Sequence, residues 1–297
     1  MARHIFSNIE HFTRVSGMTT RPETLDMPTP QNTYTHGHHE SVLRSHRWRT
    51  AENSAGYLLP HLSAGQAVLD VGCGPGTITA DLADRVAPGT VTAVEITDEA
   101  LSLAREEIAK RGTGNVRFAV ADVHALDFPD DTFDVVHAHQ VLQHVADPVL
   151  ALKEMRRVCK PGGIVAARDG DYGGFRWFPE VPALDEWLRL YQALATSNSG
   201  HPDAGRRLRS WALAAGFPED AVTAGASSWV FADPADRRWW AELWADRTTK
   251  SSTAAQYVEK GFAYLEDLDA VAAGWRAWAG AEDGWFNVVH GEIICVA

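Results

Sequence analysis

A short apolar run at residues 67–71 passes directly into Gly72-Cys73-Gly74-Pro75-Gly76-Thr77, and apolar residues then recur at helical spacing through Ile78, Leu82 and Val86. Three glycines at alternate positions between a buried strand and a helix leave the chain few options. Glycine reaches backbone conformations with positive φ and lets a ligand approach without meeting a Cβ, while the first turn of a helix offers N–H groups that have no partner inside the helix. The stretch predicts a strand, a ligand-binding turn and a helix. Further strand-like runs stand at 91–96, 116–120, 133–138 and 163–168, separated by helical text that includes Leu101, Ala104, Ile108 and residues 148–159. Lys160-Pro161-Gly162-Gly163 reads as a turn before the fifth run. Strands alternating with amphipathic helices imply a parallel sheet covered on both faces, a doubly wound α/β fold.

The charges around the turn select among ligands. A nicotinamide dinucleotide site needs a third glycine where this chain has Thr77, and Asp70 at the end of the first strand opposes a pyrophosphate. A ligand carrying an ammonium or sulfonium group suits that carboxylate better. Glu95 ends the second strand, 19 residues beyond Gly76, where an acid can accept both ribose hydroxyls of an adenosine. Asp122 follows the third strand and can accept from an adenine amino group, with the Val123 N–H available to a ring nitrogen. Each acid alone is more often a cap or a loop residue; together, at the ends of three successive strands, they outline a binding crevice.

On these residues the chain resembles the class I S-adenosylmethionine-dependent methyltransferases of the ubiquinone/menaquinone-methyltransferase-like group, over roughly residues 65–170. The resemblance implies a Rossmann-like seven-stranded sheet whose last strand, here the closing apolar run at 287–296, is antiparallel. It further implies that Gly72, Gly74 and Gly76 cradle the methionine portion, that Glu95 holds the ribose, that Asp122 and Val123 hold the adenine, that His139 and Gln140 lie beneath the sulfonium, and that Cys73 and Ile96 also belong to the cofactor site. S-adenosylmethionine is the implied cofactor. The organisation expected is an N-terminal arm or lid at 1–50, a cofactor-binding core at 51–170, and substrate-binding helices with the closing strands at 171–297.

Methyl transfer from a sulfonium needs alignment and exclusion of water more than it needs acid–base machinery. Tyr34, His38 and His39 in the arm, and Asp169 and Tyr172 after the fifth strand, are candidates for a base where the acceptor must lose a proton. Arg49 offers a fork to the carboxylate of the cofactor or of a substrate. His36, His38 and His39 lack a metal-ligand spacing, and no metal is expected. His144 reads as structural. Ten of the 11 tryptophans, Trp177 through Trp285, follow the core. Most read as packing for a helical lid, and a chamber built from this text favours a flat aromatic substrate.

Lys plus Arg numbers 27 against 39 Asp plus Glu, a net charge of −12, which disfavours a nucleic acid partner or an anionic membrane. No aromatic-proline tetrad of the N-P-P-Y kind follows the fourth strand, which also speaks against nucleic acid methylation. Three well-separated cysteines, Cys73, Cys159 and Cys295, and no long apolar run point to a reducing, cytoplasmic setting. The reading that results is a small-molecule methyltransferase of specialised metabolism. Carbon methylation, for example of an indole, is preferred over transfer to oxygen or nitrogen, and a non-catalytic cofactor-binding protein is the alternative from another class. An arm and an apolar lid are also compatible with a homodimer.

Overall fold

The computed structural model describes residues 45–297. Five parallel strands form its centre: β1 (Ala67–Val71), β2 (Thr90–Glu95), β3 (Val116–Val120), β4 (Phe133–His139) and β5 (Cys159–Gly170), in the order β3-β2-β1-β4-β5. The closing strand β8 (Trp285–Val296) runs antiparallel to β5, pairing Ile164 with Val296 through to Gly170 with His290. On its other edge β8 pairs along almost its whole length with β7 (Val222–Phe231). This is the doubly wound sheet that the strand–helix alternation implies, closed by the antiparallel last strand that the family resemblance implies.

Neighbouring residues in β1 point to opposite faces, and both faces are buried, which is why these strands read as continuous apolar runs. On one face Val68, Val91, Val135 and Ala166 pack against Ile78, Leu82 and Val86 of α2 (Thr77–Val86), with Ala51 of the short α1 (Ala51–Ser54) and Leu58. The other face carries Leu69, Val136, Val165 and Ile293 against α4 (Pro148–Val158) and α6 (Leu208–Ala214). The helix α3 (Asp98–Arg111) is bounded as its sequence dictates. Thr97 caps it by accepting from the Ala100 N–H, acids occupy its first turn, and Gly112 ends it in the left-handed conformation.

Two features depart from expectation. The sheet has eight strands among the described residues rather than seven, because β6 (Arg176–Phe178) pairs with the first residues of β8. Three residues are too few to show a period in sequence. The Lys160–Gly163 turn text is not a separate connection but an irregularity within β5: Phe133 pairs with Cys159, whereas Val135 pairs with Ile164. Gly162, at φ +76°, takes the bend.

After β5 the chain forms α5 (Pro182–Ser197), α7 (Pro234–Lys250), α8 (Ser252–Glu259) and α9 (Leu265–Ala279), which pack together as one helical layer apart from α6. Ser199 at φ +60° and the Ser251 cap, which accepts from the Thr253 N–H, supply the breaks. These helices bury Trp187, Trp240, Trp244, Trp275 and Trp278 against Phe231 and Phe286, which lie on the ends of β7 and β8. The helical layer therefore stands beside the carboxyl ends of β4 and β5. No helix among the described residues is long and apolar enough to cross a membrane.

Candidate active site

The glycine turn is left-handed at Gly72, Gly74 and Gly76, with φ of +66°, +54° and +80°. A Cβ on Gly72 would stand 2.5 Å from Val141 Cγ2, and one on Gly76 2.9 Å from Ala104 Cα, so these two glycines let the turn close on its neighbours. A Cβ on Gly74 meets no atom within 4 Å. That open side leaves bare backbone for a ligand. Glu95, at the end of β2, accepts the Gly74 N–H through Oε1 at 2.8 Å, and its Oε2 lies 3.3 Å from the Ile96 nitrogen. Ile96 and Val120 are 59% and 53% exposed at the ends of β2 and β3. A carboxylate beside an apolar shelf fits a ribose diol next to a purine, and Val120 is a shelf residue that the sequence did not single out. Asp122 accepts the His124 N–H at 2.9 Å and faces His124 Nδ1 at 2.7 Å, with Val123 buried behind it.

Two expected cofactor residues turn inward. Asp70 accepts from the Thr79 hydroxyl at 2.6 Å and lies 2.9 Å from His137 Nδ1, so both its oxygens brace β1 against α2 and β4 instead of facing a ligand directly. A buried carboxylate needs such partners, and they are present. The Cys73 thiol packs with Ala93, Leu101 and Ala104, and burial raises its pKa. Only the Cys73 backbone borders the turn.

Beyond the turn, alternation along β4, β5, β8 and β7 places a row of polar side chains on one face of the sheet. His137 and His139 belong to β4, Arg168 pairs in register with His139, Glu292 with Arg168, and Ser227 with His290. The Arg168 Nε donates to Glu292 Oε1 and to Ser227 Oγ, each at 3.0 Å, and its Nη2 lies 3.0 Å from His290 Nδ1. The Ser227 hydroxyl donates to Glu292. Burial pushes Arg168 down to about 10, against the pull of Glu292. Trp229 covers the row: its ring centroid is 4.4 Å from that of His290, 6.1 Å from that of His139 and 4.9 Å from the Arg168 guanidinium carbon.

Gln140 and Arg49 close the row from the arm side. Gln140 sits at φ +55°, a conformation that costs a non-glycine residue about 1–2 kcal/mol and that recurs at functional sites. Its Oε1 accepts from Arg49 Nη2 at 2.6 Å and its Nε2 lies 2.9 Å from His290 Nε2. Arg49, expected to meet a ligand carboxylate, is thus held by Gln140 and lies 5.6 Å from the Trp229 ring. His139 is buried, and neither of its ring nitrogens has a hydrogen-bond partner among the described residues. Burial, then the charges of Arg49 and Arg168, hold it well below the usual histidine pKa. His290 is lowered in the same way by burial, Arg168 and Arg49, and His144 is pushed to about 3 by burial, Arg49 and Arg247.

The candidate bases fare differently. Asp169 points away from its neighbour Arg168: its Oδ1 accepts the Gln143 N–H at 3.0 Å, and burial raises the carboxyl to about 7. It anchors the segment after β4. Tyr172 is a correction, since its ring stacks on Tyr191 at 4.0 Å and Phe175 at 4.5 Å within the helical layer, and burial raises its phenol. Tyr34, His38 and His39 lie outside the described residues. His290, Glu292 and Ser227 were missed because the closing strands read as apolar; the alternation of His290 with Glu292 in β8 was the available signal.

A family model described as a methyltransferase domain matches residues 62–215. An uncharacterised methyltransferase of Schizosaccharomyces pombe is 35% identical over 284 residues, covering 91% of this chain and 98% of that protein. The ubiquinone/menaquinone biosynthesis C-methyltransferase UbiE of Idiomarina loihiensis is 38% identical over 168 residues, 52% of this chain and 66% of that protein. The crystal structure of the Bacillus subtilis YcgJ protein shares the fold at a TM-score of 0.52 and 21% identity, covering 82% of this chain and 97% of that one. Aligned along most of its length with one methyltransferase and matched over half of it by the domain model, the protein belongs to the class I S-adenosylmethionine-dependent methyltransferases.

Proposed function

We propose that the protein methylates a small aromatic acceptor of specialised metabolism, and that the methyl group goes to carbon on an electron-rich ring such as an indole. S-adenosylmethionine, when bound, supplies a methyl group already activated on sulfur. In this reading Gly72, Gly74 and Gly76 hold the methionine end and Glu95 the ribose hydroxyls. Ile96, Val120, Asp122 and Val123 hold the adenine. The acceptor lies along the row from His139 to His290, under Trp229, with water excluded by the helical layer and by the segment carrying Trp48 and Arg49. Trp48 packs edge-on to Trp229 with centroids 5.2 Å apart.

The observation that carries the preference for carbon is the electrostatics of the row. His139 and His290 are buried beside arginines and stay neutral, and they accept a proton only at pH values well below their usual pKa. Such groups are weak bases. A phenol or an ammonium must lose a proton before it attacks, whereas an electron-rich ring carbon attacks first and releases its proton afterwards. UbiE, the named relative, is a C-methyltransferase. Most tryptophans fold into the helical core, so support for an aromatic acceptor narrows to Trp229 and Trp48. The three cysteines are buried and unpaired, which suits a reducing, cytoplasmic setting.

The experiment is incubation with S-adenosylmethionine and a panel of indoles and hydroxyarenes, with nuclear magnetic resonance locating the new methyl. Product carrying the methyl on ring carbon supports the proposal. Methyl found on oxygen or nitrogen refutes the regiochemistry and leaves the aromatic acceptor standing, and turnover only of non-aromatic acceptors refutes both.

A further inference from the structure

His139 is 7% exposed, yet both ring nitrogens lack a partner among the described residues. A buried polar group left without a hydrogen bond keeps the full cost of its lost hydration, so a ring with two such atoms calls for an explanation. Its protein neighbours do not supply one. His137 directs Nδ1 to Asp70, and His290 faces Arg168 through Nδ1 and Gln140 through Nε2. The rings nearest His139 are Trp229 and His290, on β7 and β8. Those strands lie beyond β5, whereas the glycine turn follows β1 on the other side of β4. The unused nitrogens therefore belong to the acceptor half of the site rather than the adenosine half. Burial beside Arg49 and Arg168 also fixes the chemistry of the ring. A neutral imidazole presents one lone pair and one N–H, and cannot offer two donors.

We infer that His139 is an acceptor-recognition residue whose imidazole accepts a hydrogen bond from an N–H or O–H carried by the acceptor ring. This rests on the aromatic-acceptor reading above and deepens it. The substrate class becomes arenes bearing a hydrogen-bond donor, such as indoles with a free N–H or hydroxyarenes, and excludes their hydrocarbon or ether isosteres. Selectivity follows from the same unpaired atoms. An analogue without the donor buries His139 and leaves it unsatisfied, the situation in which sites built for a hydroxyl or N–H reject analogues most strongly. Arg168 and His290 are positioning residues here, setting the wall against which the acceptor ring lies. A hydrogen bond from the ring N–H or O–H to the imidazole also enriches the ring in electrons, which matches attack through carbon.

The test is calorimetric titration of the full chain, saturated with S-adenosylhomocysteine, with indole and with its isostere 1-benzofuran. The wild type is expected to bind indole at least about tenfold more tightly than benzofuran. His139→Phe is expected to bring the two within about twofold while S-adenosylhomocysteine binding and the melting temperature hold, and His139→Gln, which keeps an acceptor atom, to recover part of the preference. Equal binding of both arenes by the wild type overturns the inference and leaves the aromatic-acceptor reading intact. Binding of neither arene by the cofactor-loaded protein overturns that reading and the inference with it. Loss of S-adenosylhomocysteine affinity in His139→Phe with the arene preference retained assigns His139 to the cofactor, and also overturns the inference.

Discussion

Alanine placed at each turn glycine in turn separates what the fold requires from what the ligand requires. At Gly74 the new Cβ meets nothing within 4 Å, so the only cost to the fold is the left-handed backbone at φ +54°, about 1–2 kcal/mol for a residue with a Cβ. In a chain of this size that lowers the melting temperature by about 2–3 °C. At Gly76 the same backbone cost adds to a Cβ 2.9 Å from Ala104 Cα, a main-chain atom in α3 that cannot swing aside. Overpacking of that kind brings the total to about 2–5 kcal/mol. Gly72→Ala falls between, because the clash is with Val141 Cγ2, the end of a side chain. Affinity for S-adenosylhomocysteine is expected in a different order. Gly74→Ala, the mildest for stability, loses at least about tenfold, because its Cβ occupies the open side of the turn where the backbone meets the ligand. Differential scanning fluorimetry and isothermal titration on the same preparations read both quantities. Gly74→Ala binding S-adenosylhomocysteine as the wild type does, with only the modest drop in melting temperature, would refute the assignment of this turn to the cofactor.

The remaining predictions concern three carboxylates. Glu95→Gln keeps an acceptor for the Gly74 N–H but removes the charge facing the ribose, so S-adenosylhomocysteine affinity drops about tenfold with little change in melting temperature, as calorimetry would show. Glu292→Ala leaves the buried Arg168 guanidinium without its counter-charge and lowers stability by about 3–5 kcal/mol in urea denaturation; an unchanged midpoint would mean that Arg168 is satisfied elsewhere. Asp169 has a folded pKa raised to about 7, so its neutral form favours the fold at low pH. That contribution is complete below the unfolded value near 4, fades as pH rises, and is gone above about 7. The stability gained by Asp169→Asn over the wild type should therefore grow between pH 4 and pH 7 and then level off, and a constant difference across that range would contradict the raised pKa.

The parallel core was legible because its central strands β1 and β4 are buried on both faces, because helical spacing separates each strand from the next, and because Gly72, Gly74 and Gly76 announce their turn locally. Glu95 was legible for the same reason, standing at a strand end a fixed distance beyond the turn. What escaped depends on pairing across distant segments. Arg168, Glu292 and Ser227 form one cluster only after β8 lies between β5 and β7, and no local pattern in any of the three strands specifies that register. Tyr172 follows the correct sheet edge but turns into the helical layer, since Tyr191 and Phe175 supply a stacking site that chain position cannot reveal. Asp70 and Cys73 occupy the expected places in the chain; whether a side chain there faces the ligand or the core is decided by Thr79, His137 and Leu101. The tryptophans divide likewise, with Trp229 on the polar row and Trp187, Trp244 and Trp275 in the core.

A crystal structure of the complex with S-adenosylhomocysteine bears most directly on the central claim, that the turn at Gly72 to Gly76 and Glu95 present the cofactor's sulfur to the row under Trp229. The account predicts ribose hydroxyls on the Glu95 carboxylate, adenine against Ile96 and Val120, and the sulfur turned toward His139 and Trp229. A nucleoside bound without contact to Glu95, or a sulfur facing away from that row, would contradict it.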